Sequence, residues 1–430
     1  METVYKNCRL IDGALNPLKE NVTVVTNDGI ITEVTTDEKN FDNAKVIDLK
    51  GKYLMPGMIN LHIHLFGTGR PSKVLGGGKL QQLILKFITT SAGKKILDSM
   101  LASNAKAILF SGVTTARSAG DFHYSDVRLR DKINGGQAVG PTLYVSGPAI
   151  TVPTGHGDGT FALTSPNADG IRKLVDEVAS NNVDLIKICI TGGVMDAKKK
   201  GEPGELKMDA ELAAAACEEA HKLGLAVASH TESEEGVKVA IRSKVDTIEH
   251  GSIISEKSLN ELKAYGGAFV CTLSPALPLA KLDPSLTKLN PLCVYNGNIV
   301  FDNMVDGAKA CLRSNAKLGL GTDASCPFVT QYNTYMEVMY ANKFLGMTPL
   351  EAINAITLKN AEIIRKDKEI GSIEAGKKAD MLVLEQNPLD DLANLANPVM
   401  VIKNGVIYDD IKLKKNKKIE KVMTNLYKSL

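Results

Sequence analysis

The sequence contains no tryptophan, and aromatic residues make up only 5% of its 430 residues. Proteins that stack bases or sugars need aromatic surfaces, so this shortage disfavours a reader of single-stranded nucleic acid or carbohydrate. Lysine and arginine number 51 against 49 aspartate and glutamate residues, which gives a formal net charge of +2. A chain this close to neutrality has no global field to attract nucleic acid. We therefore expect no nucleic-acid partner.

The spacing of the cysteines and the length of the hydrophobic runs exclude further classes of protein. The seven cysteines are odd in number and form no C-x-x-C pair, so they predict neither a disulfide framework nor a structural zinc site. The sequence has no apolar run of about 18 residues, and its first residues lack the apolar core of a signal peptide. These features predict a cytoplasmic protein without membrane contact.

The positive charge is concentrated at the C-terminus. Residues 411–430 contain seven lysines and one glutamate, so this tail carries +6 and the rest of the chain carries −4. We expect a solvated basic tail and assign it no function.

Two kinds of periodicity divide the chain. Near both ends, short alternating segments are separated by turn sequences such as Asn27-Asp28-Gly29 and Asn404-Gly405, which is typical of hairpins. Between them, apolar strands alternate with helical segments about eight times, which indicates a parallel sheet with crossover helices. The predicted strands cover residues 58–64, 114–117, 142–146, 185–190, 226–230, 247–250, 268–272 and 318–322. Eight such units predict an α/β fold, a (β/α)8 TIM-type barrel.

Two segments are predicted to be loops. Residues 275–298 contain four prolines and little periodicity, which predicts a long loop after the seventh strand. Loops at that end of a barrel form substrate walls, and Arg70 and Arg117 are further wall candidates. Gly76-Gly77-Gly78 follows the first strand without the lysine pattern of a phosphate loop, and it predicts a flexible loop.

Histidine is scarce, yet four of the seven histidines fall at predicted strand ends. His62 and His64 belong to the first strand, and the period of two directs both imidazoles to one face. His230 and His250 close the fifth and sixth strands, and Asp323 follows the eighth. Any one of them alone is more ordinarily a hydrogen-bonded structural residue. Because strand ends converge at one barrel mouth, and imidazole and carboxylate groups suit zinc and related ions, the five together predict a metal site.

Lys187 lies inside the apolar fourth strand, on the same face as Leu185 and Cys189. A buried lysine costs several kcal/mol unless it is paired or neutralised. A structural ion pair and a special chemical partner both remain open as explanations.

These residues together resemble the amidohydrolase superfamily over nearly the whole chain. The motifs of this resemblance are the His-x-His of strand one, the lysine of strand four, the histidines of strands five and six, and the aspartate of strand eight. A narrower resemblance is to the branch of prolidase-like dipeptidases and imidazolonepropionase-related proteins. The segments that carry it are residues 112–115, 140–142, 187–194 and 248–251.

The resemblance implies a cofactor and a ligand set. In binuclear members the lysine of strand four is carbamylated by carbon dioxide and becomes a bridging carboxylate. It thus implies two divalent ions, zinc by preference, bridged by a CO2-derived carbamate on Lys187 and by a hydroxide. The implied ligands are His62, His64 and Asp323 at one ion, and His230 and His250 at the other.

The implied activity is hydrolysis of an amide or peptide-like C–N bond in a small-molecule substrate: a dipeptide, an N-acyl amino acid or a related amide. Two cations lower the pKa of a bridging water and polarise the scissile carbonyl. Asp323 would act as general base and return the proton to the leaving amine. His156, in a glycine-rich turn, resembles a substrate-contacting histidine, although an exposed turn histidine is the plainer interpretation. Thr231 follows His230 where related dipeptidases have a tyrosine nearby, so a dipeptide substrate is in question.

The resemblance also implies a domain division. Residues 55–363 would form the barrel, and residues 1–54 and 364–410 a composite β-sandwich from both chain ends, followed by the basic tail at 411–430. A homo-oligomer is implied by the resemblance alone.

Two alternatives remain open. A mononuclear deaminase or cyclic-amide hydrolase on the same barrel would use His62, His64, His230 and Asp323, with His250 at the substrate. Lys187 argues against it. A non-catalytic assembly protein of the same fold is the other alternative, and the complete set of ligand positions argues against that one.

Overall fold

A computed structural model describes residues 2–37, 39–72 and 79–430, so the predicted glycine loop at 76–78 lies outside the described residues. Within them the strands are β1 (Glu2–Leu10), β2 (Lys19–Asn27), β3 (Ile30–Thr35), β4 (Lys45–Asp48), β5 (Tyr53–Pro56), β6 (Met58–Ile63), β7 (Val113–Ser118), β8 (Thr142–Val145), β9 (Ala149–Thr151), β10 (Ala162–Thr164), β11 (Leu185–Cys189), β12 (Ala226–Thr231), β13 (Thr247–His250), β14 (Ala268–Cys271), β15 (Lys317–Leu320), β16 (Met381–Leu384), β17 (Met400–Lys403) and β18 (Val406–Tyr408).

The helices of the same residues are α1 (Lys79–Ile88), α2 (Ser91–Phe110), α3 (Ser125–Asn134), α4 (Ala168–Ala179), α5 (Ala210–Lys222), α6 (Glu234–Arg242), α7 (Glu256–Tyr265), α8 (Leu273–Lys281), α9 (Pro284–Thr287), α10 (Pro291–Arg313), α11 (Thr334–Tyr340), α12 (Pro349–Asn354), α13 (Asn360–Ile363) and α14 (Lys417–Ser429). Short 3-10 and π turns supplement them. None of the described helices combines the length and the apolar character needed to cross a bilayer.

The chain divides into two compact units. The first contains Met1–Asn60, Lys106–Ala116 and Tyr332–Lys414, and the second contains Leu61–Ala105, Arg117–Gln331 and Lys415–Leu430. The first unit holds an eight-stranded sheet in the order β18-β17-β16-β5-β1-β2-β3, with β4 paired to β1. Strands from both chain ends therefore share one sheet, whose core includes Tyr5, Leu54, Met381 and Ile402.

The strands outside this eight-stranded sheet form two further sheets. One sheet has the order β10-β9-β11-β12-β13-β14-β15, and a second has the order β6-β7-β8. Backbone bonds join their edges: the amide of Asp184 donates to the carbonyl of Val145, and the amide of Asp323 donates to the carbonyl of His62, both at 2.8 Å. Every predicted strand is present, with ends displaced by at most two residues. The short strands β9 and β10 were not predicted.

Side-chain caps fix the start of the helices that follow the central strands. Each cap accepts a hydrogen bond from the backbone N–H three residues later, which satisfies a donor that the helix leaves unpaired. The caps of α4 to α7 are Asn167, Asp209, Ser233 and Ser255.

The prediction of a long loop at residues 275–298 is wrong, because α8, α9 and the first part of α10 occupy these residues. Two of the four prolines, Pro284 and Pro291, lie at helix N-termini, where the missing N–H costs nothing. Most of the basic tail, from Lys417 to Ser429, forms the helix α14, which buries Ile419, Met423 and Leu426 along one side.

Candidate metal centre

The first group of converging side chains consists of His62, His64 and Asp323, all of which are buried. The alternation of β6 brings both imidazoles to one face, as predicted. Asp323 Oδ1 lies 3.1 Å from Nε2 of His64 and 3.5 Å from Nε2 of His62. Their potential ligand atoms all lie within 4.8 Å of one another, so one ion could contact all three.

The second group consists of His230, Glu232 and His250, whose potential ligand atoms also lie within 4.8 Å of one another. The neighbouring strands β12 and β13 carry the two histidines to the same end of the sheet. The ring centroids of His62 and His250 are 4.7 Å apart, and those of His230 and His250 are 4.6 Å apart. The two groups are therefore adjacent and form one site.

Each of the four histidines has one ring nitrogen held by a neighbouring group, which fixes the ring and directs its other nitrogen. For His62, His64 and His230 the neighbour is a carboxylate or carbonyl oxygen, so the held nitrogen carries the proton, as it does in metal-binding histidines. The held pairs are His62 Nδ1 with Glu249 Oε2 at 2.8 Å, His64 Nδ1 with the Gly120 carbonyl at 2.6 Å, His230 Nε2 with the Gly192 carbonyl at 3.3 Å, and His250 Nδ1 with Thr272 Oγ1 at 2.7 Å.

Lys187 is 2% exposed, and its Nζ has no hydrogen-bond partner among the described residues. Burial lowers the pKa of this amine, although the carboxylate of Glu249 opposes the shift. Burial is the main cause that lowers the pKa of His62 in the first group and of His250 in the second, and the charge of Lys187 lowers both further. A structural ion pair, the plainer explanation, therefore does not account for Lys187.

Backbone strain occurs at two of the converging residues. His250 has a φ of 67° and Asp323 has a φ of 52°, both in the left-handed region. Such conformations cost energy in residues that have a Cβ, and they cluster at functional sites. His250 is the last residue of β13, and Asp323 lies three residues beyond the end of β15, so both left-handed residues adjoin a strand end at the site.

Arg117 does not line a substrate pocket, because its side chain is buried and its three guanidinium nitrogens all donate hydrogen bonds within the protein. Its Nε donates to the Leu61 carbonyl at 2.7 Å, Nη1 donates to Thr247 Oγ1 at 3.1 Å, and Nη2 donates to Glu249 Oε1 at 2.7 Å. Burial alone would raise the pKa of Glu249, but the Arg117 charge and the hydrogen bond from His62 lower it to about 2. Arg117 thus keeps ionised the carboxylate that holds His62.

His156 lies at the side of the second group. Its ring stacks on His230 with centroids 4.0 Å apart and planes 4° apart. Nδ1 of His156 lies 2.5 Å from Asp196 Oδ2, and the same carboxylate oxygen accepts the Gly193 amide at 2.9 Å. The aspartate fixes the ring, so the opposite edge of His156 is positioned to contact a ligand of the site.

A profile of the amidohydrolase family matches residues 53–408, which is most of the chain. The chain belongs to the amidohydrolase family. The predicted family resemblance is therefore confirmed, and the protein is a metal-dependent hydrolase that acts on carbon–nitrogen bonds.

Individual relatives of this amidohydrolase agree with the assignment. It is 26% identical to ochratoxinase of Aspergillus niger, in an alignment that covers 91% of this chain and 83% of that one. A Bifidobacterium longum structure with the provisional description prolidase is 33% identical, with a TM-score of 0.87 and 99% of both chains covered. A Xaa-Pro dipeptidase with bound methionine is 26% identical, with a TM-score of 0.84, and covers 95% of this chain and 100% of that one. These structures imply a TIM-type barrel with an additional domain.

Glu232 is a residue of this amidohydrolase site that the sequence analysis missed. It lies two residues beyond His230, just past the end of β12, next to a residue that the strand pattern had already indicated. One carboxylate oxygen, Oε2, accepts the Val194 amide at 3.0 Å. Burial and the charges of Asp323 and Asp196 raise the pKa of Glu232 to about 8.

This raised pKa predicts how the stability of the metal-free amidohydrolase depends on pH. Between the unfolded pKa of about 4.3 and the folded pKa of about 8, only the folded state holds the proton of Glu232. The free energy of unfolding should therefore fall as the pH rises through this window. Urea denaturation in chelator at several pH values measures the slope, which Glu232→Gln should reduce. Glu234→Gln, at an exposed neighbour, is the control, and an equal reduction there would contradict the assignment.

Proposed function

We propose that this amidohydrolase hydrolyses a small amide with two divalent ions, preferably zinc, held by the two adjacent groups. His62, His64 and Asp323 would hold one ion, and His230 and His250 the other. A carbamate formed from carbon dioxide on Lys187 would bridge them. The closed eight-stranded barrel, with strand ends converging on this site, is part of the same proposal.

The observation that carries the proposal is the buried amine of Lys187, which has no hydrogen-bond partner in the part of the chain that the structure describes. Its lowered pKa favours the neutral amine, which is the form that attacks carbon dioxide. The neutral amine bonds through Nζ to the carbon of carbon dioxide and releases one proton, so that a carboxylate takes the place of the amine. A carboxylate at this place supplies ligand oxygen atoms to both groups and removes the cost of burying a lone amine.

Bound divalent ions would activate water at neutral pH and polarise the scissile carbonyl. Asp323 would take the proton of the attacking water and pass it to the leaving nitrogen. His156, held by Asp196, would contact the substrate beside the second group. Relatives named ochratoxinase and Xaa-Pro dipeptidase support a small amide, such as a dipeptide or an N-acyl amino acid, as the substrate class.

Removal and return of metal tests the function. Purified protein should contain two divalent ions per chain by elemental analysis, and it should hydrolyse members of a panel of dipeptides, N-acyl amino acids and cyclic amides. Dialysis against chelator should abolish this hydrolysis, and zinc with bicarbonate should restore it. Full activity in protein shown to be metal-free would overturn the proposal.

The stoichiometry also decides between the alternatives. One ion per chain with an unmodified Lys187 would favour the mononuclear deaminase or cyclic-amide hydrolase. That alternative leaves the buried amine without a role, so the geometry does not favour it. Failure both to bind metal and to hydrolyse any member of the panel would favour a non-catalytic assembly protein.

Other expectations from the sequence stay proposals. We retain the division into a barrel at 55–363, a composite β-sandwich at 1–54 and 364–410, and a tail at 411–430. We also retain a cytoplasmic location. A homo-oligomer is supported by α1, where the apolar residues Leu80, Leu83, Ile84 and Phe87 are spaced along one face and are all exposed.

A further inference from the structure

Three of the ten phenylalanines of this aromatic-poor chain gather beside His64. The ring centroids of Phe66 and Phe122 are 4.7 Å apart, and those of Phe66 and Phe161 are 5.9 Å apart. Phe66 lies 5.3 Å and Phe161 lies 5.4 Å from the imidazole of His64. We call Phe66, Phe122 and Phe161 the phenylalanine cluster.

The backbone is shaped to hold one ring of this cluster in place. Phe161 lies between Gly120 and Gly157, which have φ values of +126° and +81°. A Cβ on Gly120 would lie 3.1 Å from Cδ2 of Phe161, and a Cβ on Gly157 would lie 3.0 Å from its Cε2 and Cζ. Both contacts are tighter than ordinary packing. Two glycines in left-handed conformations thus make room for this ring.

The cluster is only half-buried, unlike the phenylalanines of the core. Phe269 and Phe328 are buried, whereas all three cluster residues keep part of their surface exposed. Exposed aromatic surface next to a polar site lacks the packing that stabilises a core ring. It is what an apolar ligand group would cover.

The position of Asp323, the proposed proton carrier, indicates which part of a substrate would lie next to the phenylalanine cluster. Asp323 Oδ1 is 3.1 Å from Nε2 of His64, and the cluster contacts the same imidazole. In the proposed reaction Asp323 delivers the proton to the leaving nitrogen. Of the two imidazoles that this oxygen approaches, His64 is the nearer, so a group attached to that nitrogen could reach the cluster.

We infer that the phenylalanine cluster is a subsite for an aromatic group on the leaving amine, so that N-acyl aromatic amino acids and similar amides are the substrate class. This inference rests on the proposed function and deepens it. An aromatic ring gains offset-stacked or edge-to-face contacts with Phe66 and Phe122 in addition to burying apolar surface. A small aliphatic group, such as the methyl of alanine, gains neither.

A pair of substrates tests the subsite in the metal-loaded enzyme. N-acetyl-L-phenylalanine should have a kcat/KM at least about tenfold above that of N-acetyl-L-alanine, since a difference of about 1.4 kcal/mol is tenfold. The double variant Phe66→Leu/Phe122→Leu should lose most of this ratio. Phe161 is left unchanged, because it is wedged against the backbone. A preference that is absent in the wild type, or that survives in the variant, would overturn the inference.

A matched control separates the subsite from general effects of a lost ring. Phe344 is half-buried and pairs with Tyr340 at 6.1 Å, outside the cluster. Phe344→Leu should therefore keep the wild-type ratio of the two substrates. A drop in the ratio as large as that of the double variant would contradict a role specific to the cluster.

Binding without turnover distinguishes this failure from failure of the proposed function. Calorimetric titration of metal-free protein should give tighter binding of N-acetyl-L-phenylalanine than of N-acetyl-L-alanine, and the double variant should lose the difference. If that difference holds but no amide is hydrolysed, the subsite stands and the hydrolytic function fails. If amides are hydrolysed but no aromatic preference is seen in either assay, the function stands and the subsite fails.

Discussion

Lys187→Met is expected to stabilise the metal-free protein and at the same time to abolish the centre. The native amine is buried and none of the described residues forms a hydrogen bond with it, so an apolar side chain of similar length removes a desolvation cost. The variant also lacks the amine that would form the carbamate. We expect a higher melting temperature in chelator, fewer than two ions per chain after reconstitution, and amide hydrolysis reduced at least about a hundredfold.

Lys377→Met is the matched control, because Lys377 is also buried but has partners. It donates to Ser372 and lies 3.7 Å from Glu374. The same substitution there should lower the melting temperature and leave the metal content unchanged. Differential scanning calorimetry and elemental analysis on both variants complete the comparison. If Lys187→Met binds two ions and hydrolyses amides normally, the bridging role is wrong.

The convergence of these side chains was predictable from sequence because its signals are local. His62 and His64 share a face through the period of two, and Asp323 directly follows the predicted eighth strand. Lys187 interrupts an apolar strand, which no ordinary core position explains. In a parallel topology the carboxyl ends of the strands lie at one edge of the sheet. Residues that are far apart in the sequence therefore meet there, and no direct pairing signal between them is needed for the prediction.

The errors have physical reasons as well. The prolines at 275–298 predict a loop, but Pro284 and Pro291 begin helices, where a fixed φ is an advantage. Pro278 lies inside α8, whose other residues up to Ala280 are buried, so packing outweighs its local cost. Arg117 was a candidate for the wall of the substrate pocket. Its buried ion pair with Glu249 is not evident from sequence, because the two residues are 132 positions apart.

Glu249 could have been noticed by the same argument as Lys187. It is a charged residue in a four-residue strand whose members are all buried, and alternation places it on the face of Thr247. Such a carboxylate requires a cation and further donors. The sequence shows that Glu249 needs partners but does not say which residues they are. The identity of these partners decides whether Glu249 has a structural role or belongs to the metal centre.

Glu249→Gln is expected to weaken binding at the first ion site about 10- to 100-fold, the usual effect of losing a residue that orients a metal-binding histidine. The native carboxylate accepts from His62 Nδ1 with one oxygen and from Arg117 with the other. Glutamine has only one oxygen, and the Arg117 charge attracts it. The amide NH2 then faces His62, which must accept at Nδ1 and carry its proton on Nε2, the nitrogen that faces Asp323.

A second substitution separates this tautomer effect from simple damage. In Glu249→Gln/Arg117→Met the competing cation is gone, so the glutamine oxygen can turn back to His62 and restore the proton to Nδ1. Metal titration of the single and double variants should therefore show that affinity lost in the first is largely regained in the second. Imidazole nitrogen chemical shifts of the metal-free variants report the tautomer directly. If the double variant binds metal as weakly as Glu249→Gln, the carboxylate supports the fold around His62 and does not set its protonation.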